Sequence, residues 1–316
     1  MKIIPRSDIE KILLAHDFLT NIEEGFVLHS KGLSHIPPVA ELAMDNGEVH
    51  IKYGYIVGGD HYVVKIASGF YQNPSLGLPS SNGLMLLFSL KTGEVVCLLQ
   101  DEGLLTDYRT AQAGAVAAKY LAPKELDTIG IIGTGTQAKL NAIAISKVTG
   151  CKKVLIWGRN PQCAQQCALE ISSNEIAAST CSSIKELASR TRLIVTTTPS
   201  TSPLLFKDDV QKGTLIIALG SDTEEKQELD NGLTKVARLI VDCKNQCQSR
   251  GEVSHLFKQG TIQQDDVTEL GELIQKGPSP ITKDNITVVD LTGIAVQDLM
   301  IAEAVYGAAS RSDVVN

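Results

Sequence analysis

The apolar run TIGII (Thr128 to Ile132) opens straight into Gly133-Thr134-Gly135-Thr136-Gln137-Ala138, and no other stretch narrows the fold of this chain as far. A short buried strand ending in glycine and followed at once by helix-forming residues is the context that gives G-x-G-x-x-(G/A) its meaning. Gly133 allows a tight turn, Gly135 lets a phosphate approach the backbone, and Ala138 lets the helix lie close to the strand. The helix N-terminus then faces the anion. Around this point the apolar runs TIGIIG, VLIWG, LIVTTT, TLIIAL and RLIV alternate with helix-like stretches such as KLNAIAISKV and QQCALEI. Such alternation predicts a parallel, doubly wound sheet from Asp127 onward, fading near Gly277-Pro278-Ser279-Pro280. TVVDLTGIAVQDLMIAEAVYGAA then reads as a strand, a turn and an amphipathic helix.

A strand–turn–helix of this kind is a Rossmann-type dinucleotide site. Which dinucleotide it takes is written at the end of the second strand, where NAD proteins carry an Asp or Glu for the ribose. Here VLIW runs into Gly158-Arg159-Asn160-Pro161, with no acid. Arg159 can pair with a 2′-phosphate in bidentate fashion, so NADP(H) is expected over NAD(H); the alternative is that Arg159 stacks on the adenine.

The first hundred residues follow another grammar. Residues 3 to 30 read as an amphipathic helical segment with Ser7-Asp8 as cap candidates. VHIKYGYIV and HYVVKIAS, separated by Gly58-Gly59-Asp60, read as a hairpin, and LMLLFSL with VVCLL, joined by KTGE, as a second strand pair. The Ala/Gly-rich helix of GLLTDYRTAQAGAVAAKYLA comes next. Arg109 is expected in its first turn, beside Thr106 or Asp107 as N-cap, where the helix dipole disfavours a cation. An anion in front of both, a substrate carboxylate or a pyrophosphate, removes the conflict.

With 316 residues, two domains are expected. A net charge of −7 argues against nucleic acid or an anionic membrane as partner. There is no secretory pattern at the N-terminus and no apolar run of about 20 residues. Seven cysteines, an odd number scattered through apolar segments, suit reduced thiols packed in a cytoplasmic protein, with no metal site.

Taken together, LLTDYRTAQAGAVAAKYLAP, IGIIGTGTQA, VLIWGRNP, ALGSDTEEKQELD and VVDLTGIAVQD resemble the ornithine cyclodeaminase/mu-crystallin family over nearly the whole chain. The resemblance implies an α/β protein: a β-rich substrate and dimerisation domain at 1–120, closed by a C-terminal helix within 292–316, and a Rossmann domain at 121–291. It implies a homodimer and NAD(P)-dependent hydride transfer at the α-carbon of a small amino or imino acid: imine or ketimine reduction, amino-acid dehydrogenation or cyclodeamination. The competing implication is a non-enzymatic, crystallin-like NADP(H)-binding protein. Lys65 matches the family's carboxylate-binding lysine, and strand alternation from Val63 turns it inward. Asp222 matches the acid–base residue; the remaining acids of DTEEKQELD read as a solvated helix start. Arg109 and a hydroxyl near Ser80 match further substrate contacts. The implied cofactor contacts are Arg109, Thr110, Gly133, Gly135, Thr136, Gln137, Gly158, Arg159, Asn160, Thr198 and Gly293. One departure stands out: no arginine lies between Arg6 and Arg109, where cyclodeaminases carry a second carboxylate ligand. Lys52 is the candidate replacement, with His50 on the same strand.

Overall fold

The computed structural model describes residues 1–312. The chain divides into two compact units, Met1–Arg109 with the chain from Ile294 on, and Thr110–Gly293.

The first unit is built on a mainly antiparallel sheet. Its elements are β1 (Lys2–Pro5), helices α1 (Arg6–Ala15) and α2 (Leu19–Ser30), strands β2 (Ser34–His35), β3 (Ala40–Met44), β4 (Gly47–Ile56), β5 (His61–Gly69), β6 (Ser81–Ser89) and β7 (Val95–Gln100), and the start of helix α3 (Leu104–Leu121). The strand order is β1-β7-β6-β5-β4-β2, with β3 also on β4. Alternation along β5, β6 and β7 buries Val63 and Lys65, Met85 and Leu87, Cys97 and Leu99 on one face. That face is covered by helix α10 (Ala295–Ser312), which packs on α1, α2 and strands β4 to β6.

Two local expectations are corrected here. Residues 3–30 are not one helical segment. Ile3 and Ile4 pair in parallel with Leu98 and Leu99, so the chain starts as a strand, and Pro5 (φ −75°) rather than Ser7 or Asp8 precedes the first helix. α3 begins at Leu104, because Asp101 Oδ2 accepts from the Leu105 amide at 2.9 Å and takes the capping role. Arg109 therefore lies in the second turn of α3, not the first.

The second unit contains an eight-stranded, wholly parallel sheet. It comprises β8 (Ile129–Ile132), α4 (Thr136–Thr149), β9 (Lys153–Trp157), α5 (Pro161–Ser172), β10 (Ala177–Thr180), α6 (Ile184–Arg190), β11 (Leu193–Thr196), β12 (Leu215–Ala218), α7 (Asn231–Val236), β13 (Arg238–Val241), α8 (Ser254–Lys258), β14 (Val267–Glu269), α9 (Leu270–Lys276) and β15 (Thr287–Asp290). The order is β10-β9-β8-β11-β12-β15-β13-β14, so the connections reverse direction between β8 and β11. In open sheets of this kind ligands bind at the carboxyl ends of the strands beside that reversal. β8, β11, β12 and β15 are buried at every position, as strands covered on both faces must be. This is the Rossmann-type α/β architecture expected from the sequence. The run from Asp222 to Asp230 is not a helix start: it is irregular, and α7 begins only at Asn231, capped by Asp230. Among the described residues no helix is long and apolar enough to cross a membrane.

Candidate active site

In the first unit, β4 and β5 set Lys52 directly opposite Lys65. Both side chains point to the buried face, and they are only 4% and 2% exposed. Like charges facing each other across a sheet repel, and burial removes the water that would screen them. The first turn of α10 supplies the counter-charge. Asp298, fully buried, places Oδ2 3.0 Å from Lys65 Nζ and Oδ1 3.0 Å from Arg109 Nε. Arg109 Nη1 donates to Gln297 Oε1 at 2.6 Å. Burial works against ionisation of Asp298, but Arg109, Lys65 and Lys52 outweigh it and hold its carboxyl below the usual range. Lys65 and Arg109 thus meet on one carboxylate, and Lys52, paired across the sheet with Lys65, adds its charge to the same cluster. Asp101, close enough to Lys65 to feel its charge, is pushed the other way by burial and has a raised pKa.

Of the expected substrate residues, Lys52, Lys65 and Arg109 come together. His50 is buried two residues from Lys52, with Nε2 4.0 Å from carboxylate oxygens of Glu41 and Glu48. Ser80 stands apart: it precedes β6, five positions from Met85, the partner of Lys65, or roughly 17 Å along the strand at its usual rise. Its carbonyl accepts from the Phe70 amide at 2.7 Å. Asp298 and Gln297 were not singled out from the sequence. The available signal was an acid on the apolar stripe of α10, since Ala302, Val305 and Ala309, at i+4, i+7 and i+11, are all buried.

In the second unit the glycine turn sits at the carboxyl end of β8. Gly133 has φ +131°, and a β-carbon there would collide with Thr197 Oγ1, so only glycine fits. Gly135 N-caps α4 without any side-chain cap, and a β-carbon on it would meet nothing within 4 Å. The 14-residue helix thus starts without a side-chain cap at an open position, with Thr136 exposed and Gln137 half-buried beside it. Uncapped amides, a strained glycine turn and room in front of both fit the pyrophosphate of a dinucleotide. Gly158 lies against this turn, since a β-carbon on it would strike Thr134 Cγ2. Arg159 is exposed at the end of β9. Asn160, beside it, caps α5 through Oδ1, which accepts from the amides of Gln162 and Cys163. Thr110 is half-buried in α3. The Gly293 amide donates to Asp242 Oδ2 at 2.6 Å, holding the exit of β15 against that of β13.

Asp222 is partly exposed beyond β12. Lys226 Nζ lies 2.8 Å from its Oδ1, and Arg250 Nη1 donates to its carbonyl at 3.0 Å. Four further acids at the same end of the sheet, Glu228, Asp242, Glu252 and Asp290, are buried and were not anticipated. Burial raises the Glu228 carboxyl to about 7 against four hydrogen bonds from Thr198, Thr196 and Gly220. Burial, aided by the charge on Asp242, raises Asp290 to about 8.

A Rossmann unit with an open phosphate cradle, in one chain with a β-rich unit that gathers buried cations, defines a dinucleotide-dependent enzyme acting on a carboxylate-bearing small molecule. The sequence profile of the ornithine cyclodeaminase/mu-crystallin family matches residues 2–313, and the chain belongs to that family. Alanine dehydrogenase from Archaeoglobus fulgidus is 33% identical over 306 residues, covering 96% of this chain and 94% of its own. Iminosuccinate reductase from Paracoccus denitrificans is 32% identical over 319 residues, covering 99% and 98%. The solved Δ1-pyrroline-2-carboxylate reductase of Thermococcus litoralis, which carries NADH and L-proline, superposes with a TM-score of 0.91 at 28% identity, covering 99% and 98%. These relatives are enzymes of amino- and imino-acid chemistry, and the enzymatic reading stands over the non-enzymatic, crystallin-like one.

Proposed function

We propose that this protein catalyses nicotinamide-dependent hydride transfer at the α-carbon of a small amino or imino acid. The observation that carries this is the meeting of Lys65 and Arg109 on Asp298, with Lys52 directly opposite Lys65 on the same buried face. One internal carboxylate among three buried cations suits a second carboxylate, that of the substrate. Lys65 and Arg109 hold and orient it, and Lys52 supplies the charge that an arginine provides in the cyclodeaminases. The turn Gly133 to Gln137, Gly158 and Arg159, with Thr110, Thr198 and Gly293, would hold the dinucleotide. When bound, the nicotinamide supplies or accepts the hydride. Asp222 is the acid–base group, protonating the reduced nitrogen or receiving its proton in the reverse direction, and Lys226 at 2.8 Å holds it in place.

NADP(H) is the preferred cofactor on this reading, because β9 ends in an exposed arginine where an acid would otherwise bind the ribose. The protein acts as a homodimer. Supporting this, the outward face of the antiparallel sheet exposes Leu42, Met44, Tyr53 and Ile66, with Leu42 59% exposed. A neighbour of known structure, an archaeal alanine dehydrogenase, is a dimer with bound NAD.

The test is a panel read at 340 nm: NADPH or NADH with cyclic imino acids, and NAD(P)⁺ with ornithine, lysine or alanine, with proline assayed separately. Turnover of at least one pair is expected, abolished in K65A and reduced at least a hundredfold in D222N. R159A is expected to raise KM for NADPH about tenfold and leave that for NADH in place. Silence across the panel, or full turnover by K65A, overturns the assignment.

A further inference from the structure

The segment from Gly220 to Asp230 carries Asp222 yet forms no helix or strand, only a single parallel bridge of Leu229 to Leu205, so the stretch around Asp222 must be held by side chains. Glu228 does so from inside. Its Oε1 accepts from the Thr198 amide at 2.6 Å and the Thr198 hydroxyl at 2.7 Å. Its Oε2 accepts from the Thr196 hydroxyl at 2.7 Å and the Gly220 amide at 3.0 Å. The backbone around Glu228 is pinned as well. The Glu228 and Leu229 amides donate to Glu252 at 2.8 and 2.9 Å, and the Leu204 and Leu205 amides donate to the Glu228 carbonyl. Gly220 is pressed so close that a β-carbon would come within 2.5 Å of Glu228 Oε2 and would overlap the Thr198 carbonyl. The turn beyond it is closed by Ser221 Oγ donating to the Lys226 carbonyl at 2.6 Å, and Lys226 holds Asp222.

We propose that Glu228 is a positioning residue for the reaction: one buried carboxylate ties the end of β11, with Thr198, to the turn that aims Asp222. This rests on the functional reading above. Both oxygens of Glu228 are occupied by N–H and O–H donors, so it acts through Thr196, Thr198 and Gly220, and on Asp222 through the turn that follows Gly220. Glutamine replaces it poorly, because on either side its NH₂ would confront a backbone N–H, of Thr198 or of Gly220, that has lost its acceptor. Aspartate keeps both acceptors but withdraws them by one methylene, about 1.5 Å. A displacement of about 1 Å at a reacting group costs on the order of a hundredfold in rate.

The experiment compares E228Q and E228D with wild type on the imino acid and cofactor that wild type turns over. It measures kcat, KM for each, and the primary deuterium isotope effect from 4-deuterated reduced cofactor. E228Q is expected to lose about a hundredfold in kcat, with KM for the imino acid within threefold, because the carboxylate-binding cations belong to the other unit. E228D should recover about tenfold of that loss. The isotope effect should rise in both as chemistry becomes rate-limiting. Should E228Q fail to fold, E228D alone decides: kcat down about tenfold at constant KM supports the assignment. A kcat within threefold of wild type, or a loss carried by KM with an unchanged isotope effect, overturns it. Wild-type protein with no turnover overturns the functional reading itself, and that result is distinct from a normal wild type with normal variants.

Discussion

Asp298 carries the charge balance of the buried cation cluster, and D298N removes that charge with little change of shape. At 3.0 Å and an effective dielectric of about 20, each contact to Lys65 and Arg109 is worth 332/(20 × 3.0), or about 5.5 kcal/mol of attraction. Much of that offsets the desolvation of three buried groups. What remains visible on removing one partner of such a cluster is about 3–5 kcal/mol, because the cations are left buried against a neutral amide. With a urea slope of about 2 kcal/mol per molar, the midpoint of unfolding followed by far-ultraviolet circular dichroism should fall by about 1.5–2.5 M. The shift should persist in 0.5 M NaCl, since the groups are out of reach of screening ions. K65M in the D298N background should cost far less than the sum of the single changes, with a coupling of at least about 1 kcal/mol. A D298N midpoint within about 0.3 M of wild type, or a shift abolished by salt, would show that the lysine pair is not held by this carboxylate.

Buried Asp290 of the Rossmann unit makes stability fall as pH rises. Asp290 titrates near 8 in the fold but near its ordinary value when unfolded, so between about pH 4 and 8 the folded state holds more protons. D290N keeps an acceptor for the Val253 amide and should flatten the upper part of that decline in a melting series from pH 5 to 9; a melting temperature that climbs over this range in wild type would contradict it. G135D should leave the melting temperature within about 2 °C, since the site is open and an acid suits a helix N-terminus. It should nevertheless weaken dinucleotide binding more than tenfold in a fluorescence titration. G133A should destabilise by about 2 kcal/mol or more, through its φ of +131° and the collision with Thr197; a neutral melting curve would refute that.

The parts of this molecule that were legible in the sequence are those whose cause is local. The glycine turn, the alternation of strand and helix beyond Asp127, both hairpins and the inward face of Lys65 follow from spacing within a few residues. What was missed depends on partners far away along the chain. Lys65 meets Asp298 across 233 positions, so nothing near Val-Gln-Asp shows that its acid is a counter-ion. The strand Lys2–Pro5 is stabilised by β7, and four residues of local sequence are too few to show it. DTEEKQELD has the composition of a solvated surface. Glu228 is nonetheless buried because the ends of β11 and β12 present four donors that only a carboxylate can satisfy together.

The placement of α10 has a consequence for how the protein is made. The sheet of the first unit is complete at β7, but the helix that covers its apolar face and neutralises Lys65 is encoded about 195 residues later. At about 5–20 residues per second, a ribosome needs roughly 10–40 s to cover that interval. Throughout it the nascent sheet carries an uncovered face with two facing lysines, while the contiguous chain of the Rossmann unit emerges and can fold. The β-rich unit is thus begun before the Rossmann unit and completed after it during synthesis.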